Sequence, residues 1–224
     1  MNRIVSFGSS PILHHPLFNK GDLPFPAIIA KKLDVDYVTR AKPLSSNTKI
    51  TRKILTYKFQ QRDFAFVAWS SPSRFEFRTE HGWMSINPAT YKTEDSFGEQ
   101  WYNGPGQWEY TIISIALKEI LIAQTFLNQL NIPYIFVFDN DEILESHLYI
   151  NPDVYLKSLL TLIDWDKIIK FEGHGFMPWA KSCNFEFVSN NPEIDGKPGS
   201  NAHIAAADYL IEKVPAFAIK GSES

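Results

Sequence analysis

Serine hydroxyls follow two apolar runs in this sequence, at positions where a nucleophile and its helpers belong. Arg3-Ile4-Val5-Ser6-Phe7-Gly8-Ser9-Ser10-Pro11 carries β-prone residues into a glycine and two small hydroxyls. A buried strand that ends this way delivers a hydroxyl to the carboxyl edge of a sheet, the edge at which open α/β folds bind ligands. Ser10 is a better candidate nucleophile than Ser9, although the same residues also read as a small-residue turn leading from a strand to a helix. Acyl transfer by serine needs a base to take the hydroxyl proton and donors to hold the oxyanion. Two later loops supply donors: the backbone near Leu44 and Ser45 with the amide of Asn47, and the hydroxyls of Ser70 and Ser71. The base has to come from the segment before the last helix, where Asp195 and His203 lie.

The other polar groups are less specific. His203 falls inside a helical pattern, where a lone histidine commonly packs or caps. His14-His15 follow the Ser10 turn and read as solvated loop residues or as cleft lining. His174, within Gly173-His174-Gly175, is a further candidate base that chain order permits. Asp139-Asn140-Asp141-Glu142 puts carboxylates at a strand end but lacks the loop spacing of a calcium-binding EF-hand. Capping of the next segment is the simpler role, so no metal site and no cofactor is expected. Arg74 and Glu76 alternate with Phe75 and Phe77, which puts the two charges on one face as an ion pair beside the site or as a substrate contact.

Composition bounds the rest. The 224 residues suit one decorated α/β domain, and the net charge of −3 without a basic run argues against a nucleic-acid partner. Aromatic residues make up 14%, enough for a groove or interface, though an aromatic-heavy core accounts for them as well. One cysteine, Cys183, excludes an intrachain disulfide framework and a CxxC metal motif. Residues 1–13 are too short and polar for a signal peptide, and no apolar run reads as a membrane span. A soluble protein made in the cytoplasm is expected.

The elements that must position these groups follow from periodicity. Ile4–Phe7, Tyr37–Thr39 and Asp63–Trp69 read as strands, alternating with helices over Pro24–Leu33 and Thr48–Phe59, the latter capped by Ser46 or Asn47. This β-α-β-α-β order predicts a parallel sheet. Between Ser70 and Tyr110 the pattern breaks up among Trp83, Trp101 and Trp108, which predicts an inserted lobe or lid. Thr111–Leu130 is a long helix, Tyr134–Phe138 a fourth buried strand, and Val154–Ile163 and Ser200–Val214 further helices. Ile168–Phe171 reads as a short strand and Gly173–Gly199 as loop.

Four segments carry a resemblance. Phe-Gly-Ser-Ser at 7–10, Arg-Ala-Lys-Pro-Leu-Ser-Ser-Asn at 40–47, Ala-Trp-Ser-Ser-Pro-Ser-Arg-Phe-Glu-Phe at 68–77 and Asp-Gly-Lys-Pro-Gly-Ser-Asn-Ala-His at 195–203 resemble the sequence blocks of the SGNH (GDSL-like) hydrolase superfamily. They are most like a divergent branch of marine phages and bacteria whose first block reads Phe-Gly-Cys-Ser and whose third reads Gly-Trp-Thr-Ser-Pro-x-Arg-Phe-Glu. The resemblance implies a flavodoxin-like three-layer α/β/α sandwich with a parallel sheet, a single domain over 1–224 carrying the insertion at about 70–110, and hydrolysis of acyl esters on glycans or lipids.

Carried over by position, Ser10 matches the nucleophile, which also contributes its own N–H to the oxyanion hole. Leu44 stands where a glycine donates its N–H, and Ser70 where an asparagine donates. Asp195 falls near the acid, and Lys197 stands where histidine precedes proline. Ser9 replaces the aspartate of the first block. A lysine beside Asp195 is expected to stay charged, since only desolvation or a nearby cation would lower its pKa enough for a base. Leu44 lacks glycine's easy access to positive φ. These departures suggest a degenerate site. Two functions follow: a serine esterase with an unorthodox base, or a non-catalytic binding or structural protein of the same fold, for instance in a phage particle, whose aromatic insertion contacts protein or glycan.

Overall fold

The structure is a computed structural model that describes residues 1–9, 12, 23–88, 96–104, 109–145, 154–188 and 196–217. Ser10, His14, His15, Trp108 and Asp195 lie outside the described residues.

Four strands, β1 (Arg3–Gly8), β2 (Asp36–Thr39), β3 (Asp63–Trp69) and β6 (Tyr134–Phe138), form a parallel sheet in the order β2-β1-β3-β6. Ile168 adds one further parallel bridge beside Phe136, in place of the short strand expected over 168–171. The period-two alternation of side chains divides the strands between two cores. Val5, Phe7, Val67, Trp69, Phe136 and Phe138 face one side with helices α2 (Asn47–Leu55), α4 (Glu109–Gln129) and α5 (Val154–Leu162). Ile4, Phe64, Phe66, Ala68, Ile135 and Val137 face the other, with α1 (Phe25–Lys32), α6 (Phe176–Ser182) and α7 (Ser200–Lys213). The three-layer α/β/α sandwich with a parallel sheet is therefore present. Every residue of β3 is buried, as a strand covered on both faces requires.

Three stretches gain detail in the fold, and the last of them differs from the sequence expectation. Glu109–Gln129 is long and apolar enough, by length and composition, to cross a membrane. Its residues Ile113, Leu117, Ile120 and Leu127 are buried in the core, whereas Ile122 is exposed. Within 70–110, the strands β4 (Phe75–Thr79) and β5 (Gly82–Ile86) pair antiparallel, and α3 (Ser96–Tyr102) follows. Phe75 stacks on Trp101 with ring centroids 4.3 Å apart, tying hairpin to helix. The stretch expected as loop from 173 to 199 contains α6 and a two-stranded pairing of β7 (Phe187–Val188) with β8 (Lys197–Pro198). Phe176, Trp179 and Ala180, spaced three and one apart, bury one face of α6 against the core.

Candidate active site at the carboxyl edge of the sheet

The strand registers bring three polar side chains to one edge. Gly8 pairs with Ala68 and Trp69 with Phe138, so Ser9, Ser70 and Asp139 follow the ends of three adjacent strands. Gly8 has to be glycine, because a Cβ there would sit 2.7 Å from the Ala68 carbonyl oxygen. Ser9 and Ser70 are both buried. The Asp139 N–H donates to the Trp69 carbonyl at 2.8 Å and its own carbonyl accepts from Met177 at 3.0 Å, which pins the turn after β6.

Arg74 connects this edge. Its Nη1 donates to Ser9 Oγ at 2.6 Å and to Ser70 Oγ at 2.8 Å. The ion pair expected between Arg74 and Glu76 does not form. Glu76 instead accepts from Arg52 on α2, with Nη2 3.0 Å from Oε2. Glu76 is buried in β4, where Arg52 reaches it from α2, while Arg74 lies before the strand and turns toward the serines.

Asn47 acts on backbone. Its Oδ1 accepts the Ser70 N–H at 2.9 Å and its Nδ2 donates to the Ser70 carbonyl at 3.1 Å. Both amide groups are thus committed to holding the turn after β3. The neighbouring Ser46 caps α2 by accepting the Lys49 N–H at 3.1 Å. Leu44 is exposed and takes φ +53°. The loop therefore keeps the left-handed turn that a glycine would adopt freely, at a cost on the order of 1 kcal/mol for a residue with a side chain.

Two further ionisable groups complete the centre. Asp139 is almost wholly buried, and that burial pushes its pKa up to about 8, with Glu142 adding to the rise and Arg74 and Lys197 opposing it. Lys197 enters from β8. Burial pushes its pKa down first, the Arg74 charge lowers it further, and Asp139 opposes. The charge expected to be held by Asp195 rests on a residue outside the described ones; among the described residues, desolvation and the Arg74 cation both lower the Lys197 pKa. Glu142 keeps contact with solvent at the rim; partial desolvation raises its pKa, while the Ser71 hydroxyl and Arg74 lower it. Among the described residues, neither Lys197 nor Arg74 has a carboxylate within ion-pair distance, and no group of three metal-ligating side chains occurs.

The histidines are placed elsewhere. His203 is 1% exposed in α7, stacked on Phe25, with Nδ1 accepting the Phe25 N–H at 3.2 Å. Burial pushes its pKa down to about 4, against a hydrogen bond with the Pro198 backbone. That is a core role for His203. His174 pairs with Asp141, Nδ1 2.8 Å from Oδ2, and Asp141 Oδ1 accepts the Gly175 N–H at 2.5 Å. The acidic run after β6 therefore divides its work: Asp141 ties down the start of α6, and Asp139 turns inward. In sequence this run reads as a cap, and Asp139 is not distinguished from its acidic neighbours. The available signal was its place directly after a continuously apolar strand, as Ser70 directly follows β3.

No family profile matches the sequence, and no curated protein matches it. Solved structures do. A lipolytic protein of the G-D-S-L family from Desulfitobacterium hafniense DCB-2 superposes with a TM-score of 0.50 at 8% identity, over 96% of this chain and 100% of that one. A member of the same family from Veillonella parvula DSM 2008 gives 0.48 at 11% identity, over 96% and 99%. An acetyl xylan esterase from the rumen bacterium Butyrivibrio proteoclasticus gives 0.45 at 14% identity, over 96% of this chain and 64% of that one. The chain has the fold of the first of these proteins.

Proposed function

We propose that this chain is a serine ester hydrolase in which Ser10 is the nucleophile and Lys197 its base. The observation that supports this reading is that Lys197 on β8 is partly buried, with the Arg74 charge near enough to lower its pKa further, while Arg74 itself bridges Ser9 and Ser70. A lysine so placed loses its proton more readily than one in water, and a neutral amine can accept the proton of a serine hydroxyl. The fold shared with a G-D-S-L lipolytic protein supports the same reaction class.

The chemistry balances without another reagent. Ser10 Oγ attacks the ester carbonyl carbon as its proton passes to Lys197 Nζ, and the carbonyl π pair moves onto oxygen. Arg74, with the Leu44 N–H and the Ser70 hydroxyl, receives that oxyanion. Collapse breaks the bond to the alcohol, which leaves with the proton from Lys197. Water then attacks the acyl-enzyme, gives one proton to Lys197, and the acid departs as Ser10 regains that proton. The sum is ester plus water to acid plus alcohol. Asn47 serves as a positioning residue through the Ser70 backbone, and Asp195 stands beside the base in sequence. The substrates in this reading are acyl esters of glycans or lipids.

One observation favours a second reading, a non-catalytic binding or structural protein such as a component of a phage particle. The buried ring of His203 is committed to the core, so it is no replacement for the histidine of a standard triad. Labelling with a serine-reactive fluorophosphonate separates the two. The esterase reading expects the parent to label, Ser10→Ala to be silent and Lys197→Met to be slowed at least about a hundredfold. Silence in the parent with labelling in Lys197→His would establish a scaffold that has lost its base.

A further inference from the structure

Between Asp36 and Asp63 the chain has no carboxylate, while Arg40, Lys42, Lys49, Arg52, Lys53, Lys58 and Arg62 all fall there, on a protein whose net charge is −3. These cations are scattered in sequence and gather in the fold. Arg40 and Lys42 stand on the loop after β2, and Lys49 and Lys53, four residues apart, share one face of α2. Lys53 Nζ donates to the Arg40 carbonyl at 2.8 Å, which fastens helix to loop. The pKa of Lys53 falls to about 8, first through burial and then through the charges of Lys49, Lys42, Arg40 and Arg52. Among the described residues, no carboxylate lies within ion-pair distance of Arg40, Lys42, Lys49 or Lys53. Like charges gathered without counter-charges attract an anionic partner from outside the chain.

Two exposed apolar side chains decide what kind of anion. Lys42, Pro43 and Leu44 are consecutive exposed residues at the turn of the loop, and Leu44 is 47% exposed. This turn is held in place. The Arg40 N–H donates to the Ser6 carbonyl at 2.7 Å, the Lys42 N–H to the Gly8 carbonyl at 3.1 Å, and the Ser45 hydroxyl to the Lys42 carbonyl at 3.0 Å. Beside α2, the Arg52 guanidinium lies 4.3 Å from the centroid of the Trp83 ring, and Trp83 is as exposed as Leu44. A soluble polyanion gains little from a leucine and an indole set among cations. A bilayer with anionic headgroups uses both, because its phosphates meet the cations while Leu and Trp enter the interfacial layer.

We propose that the loop after β2 and the Lys49–Lys53 face of α2 dock this chain peripherally on anionic lipid bilayers, with Leu44 in the interfacial layer and Arg40, Lys42, Lys49 and Lys53 on phosphate groups. The docking needs no hydrolysis and is independent of the serine chemistry. The hydrogen bond from Lys42 to Gly8 sets the docked face beside the end of β1.

The test is cosedimentation of the intact protein with vesicles of phosphatidylcholine, with and without phosphatidylglycerol. The expected result is partition at least about tenfold stronger onto the anionic vesicles, lost as salt is raised to about 1 M. Lys42→Glu/Lys49→Glu should lose at least about tenfold of that binding. Lys157→Glu/Lys167→Glu makes the same change of charge at two exposed lysines outside the patch and should keep it within about twofold. Leu44→Asn, in which asparagine tolerates the positive φ, should weaken it at least about threefold. Equal partition onto the two kinds of vesicle, or equal losses in the two double variants, overturns the proposal. So does binding of soluble polygalacturonate that Lys42→Glu/Lys49→Glu abolishes while no vesicle is bound, which would make the patch a site for acidic polysaccharide. The parent's vesicle and salt comparisons decide even if a variant does not fold.

Discussion

Arg74 Nη1 lies 2.6 Å from the Ser9 hydroxyl, joining residues 65 positions apart across the ends of β1 and β3. The same nitrogen reaches Ser70, and the same charge depresses the pKa of Lys197 and opposes the rise at Asp139. One guanidinium thus ties the geometry of this edge together and, second to burial, biases its titration.

Arg74→Gln should therefore do two separable things. Fluorophosphonate reactivity should fall by about a hundredfold or more if Arg74 receives the oxyanion. The pH at which the residual rate reaches half its maximum should also rise, because Lys197 loses the cation that lowers its pKa. Rates measured from pH 6 to pH 10 check both effects. A slowed enzyme with an unshifted profile would leave Arg74 its oxyanion role and remove its influence on Lys197; an unslowed one would leave it a purely structural bridge.

Asp139 makes stability depend on pH in an unusual direction. Its pKa is raised from 3.8 to about 8 by burial, so between those values the folded state holds a proton that the unfolded state has released. Stability then declines as pH rises from about 4 to about 8 and levels off above. Asp139→Asn should remove that decline and become more stable than the parent at pH 8 by an amount on the order of a few kcal/mol. Urea denaturation of both proteins at pH 5 and pH 8 gives the comparison, and a parallel pH response in the two would refute it.

His203 works in the opposite sense. Its pKa falls from 6.5 to about 4 on burial, so the unfolded chain binds the extra proton between these values. The stability from a neutral His203 is complete above about 6.5 and is lost as pH falls toward 4. His203→Ala should cost about 2–4 kcal/mol at pH 7, from the lost Phe25 hydrogen bond and the space left against Phe25 and Phe176. It should also flatten the acid limb. Serine labelling of the folded fraction should persist, and its complete loss would bring His203 back as the base.

Asn47→Ala should destabilise by about 2–4 kcal/mol, because the Ser70 N–H and carbonyl would be buried without their partners. Asn47→Asp restores the acceptor for the N–H but faces the carbonyl with a second acceptor, so it should recover only part of that loss. Thermal melts of the three proteins rank them. If Asn47→Ala melted with the parent, the clasp would carry no stability.

Much of the fold was legible because strand and helix periods are local. Asp63–Trp69 and Tyr134–Phe138 stand where their uninterrupted apolar runs put them, and Ser46 caps α2 through a side chain three residues from its partner. The helix at Phe176–Ser182 escaped notice because a short apolar face between glycines and prolines resembles a loop until a core exists to bury Trp179.

The sequence by itself determined which residue types stand after each strand: Ser9 after β1, Ser70 after β3 and Asp139 after β6. Their order along the chain follows from apolar runs that have to pair to satisfy backbone hydrogen bonds. What each of them does was decided by tertiary structure. Arg74 turned from Glu76 to two serines, His203 sank into a core of Phe25 and Phe176, and Lys197 became partly buried within range of the Arg74 charge. Partnership and desolvation depend on residues brought together from distant segments, and a proton's affinity for a site is set by those surroundings.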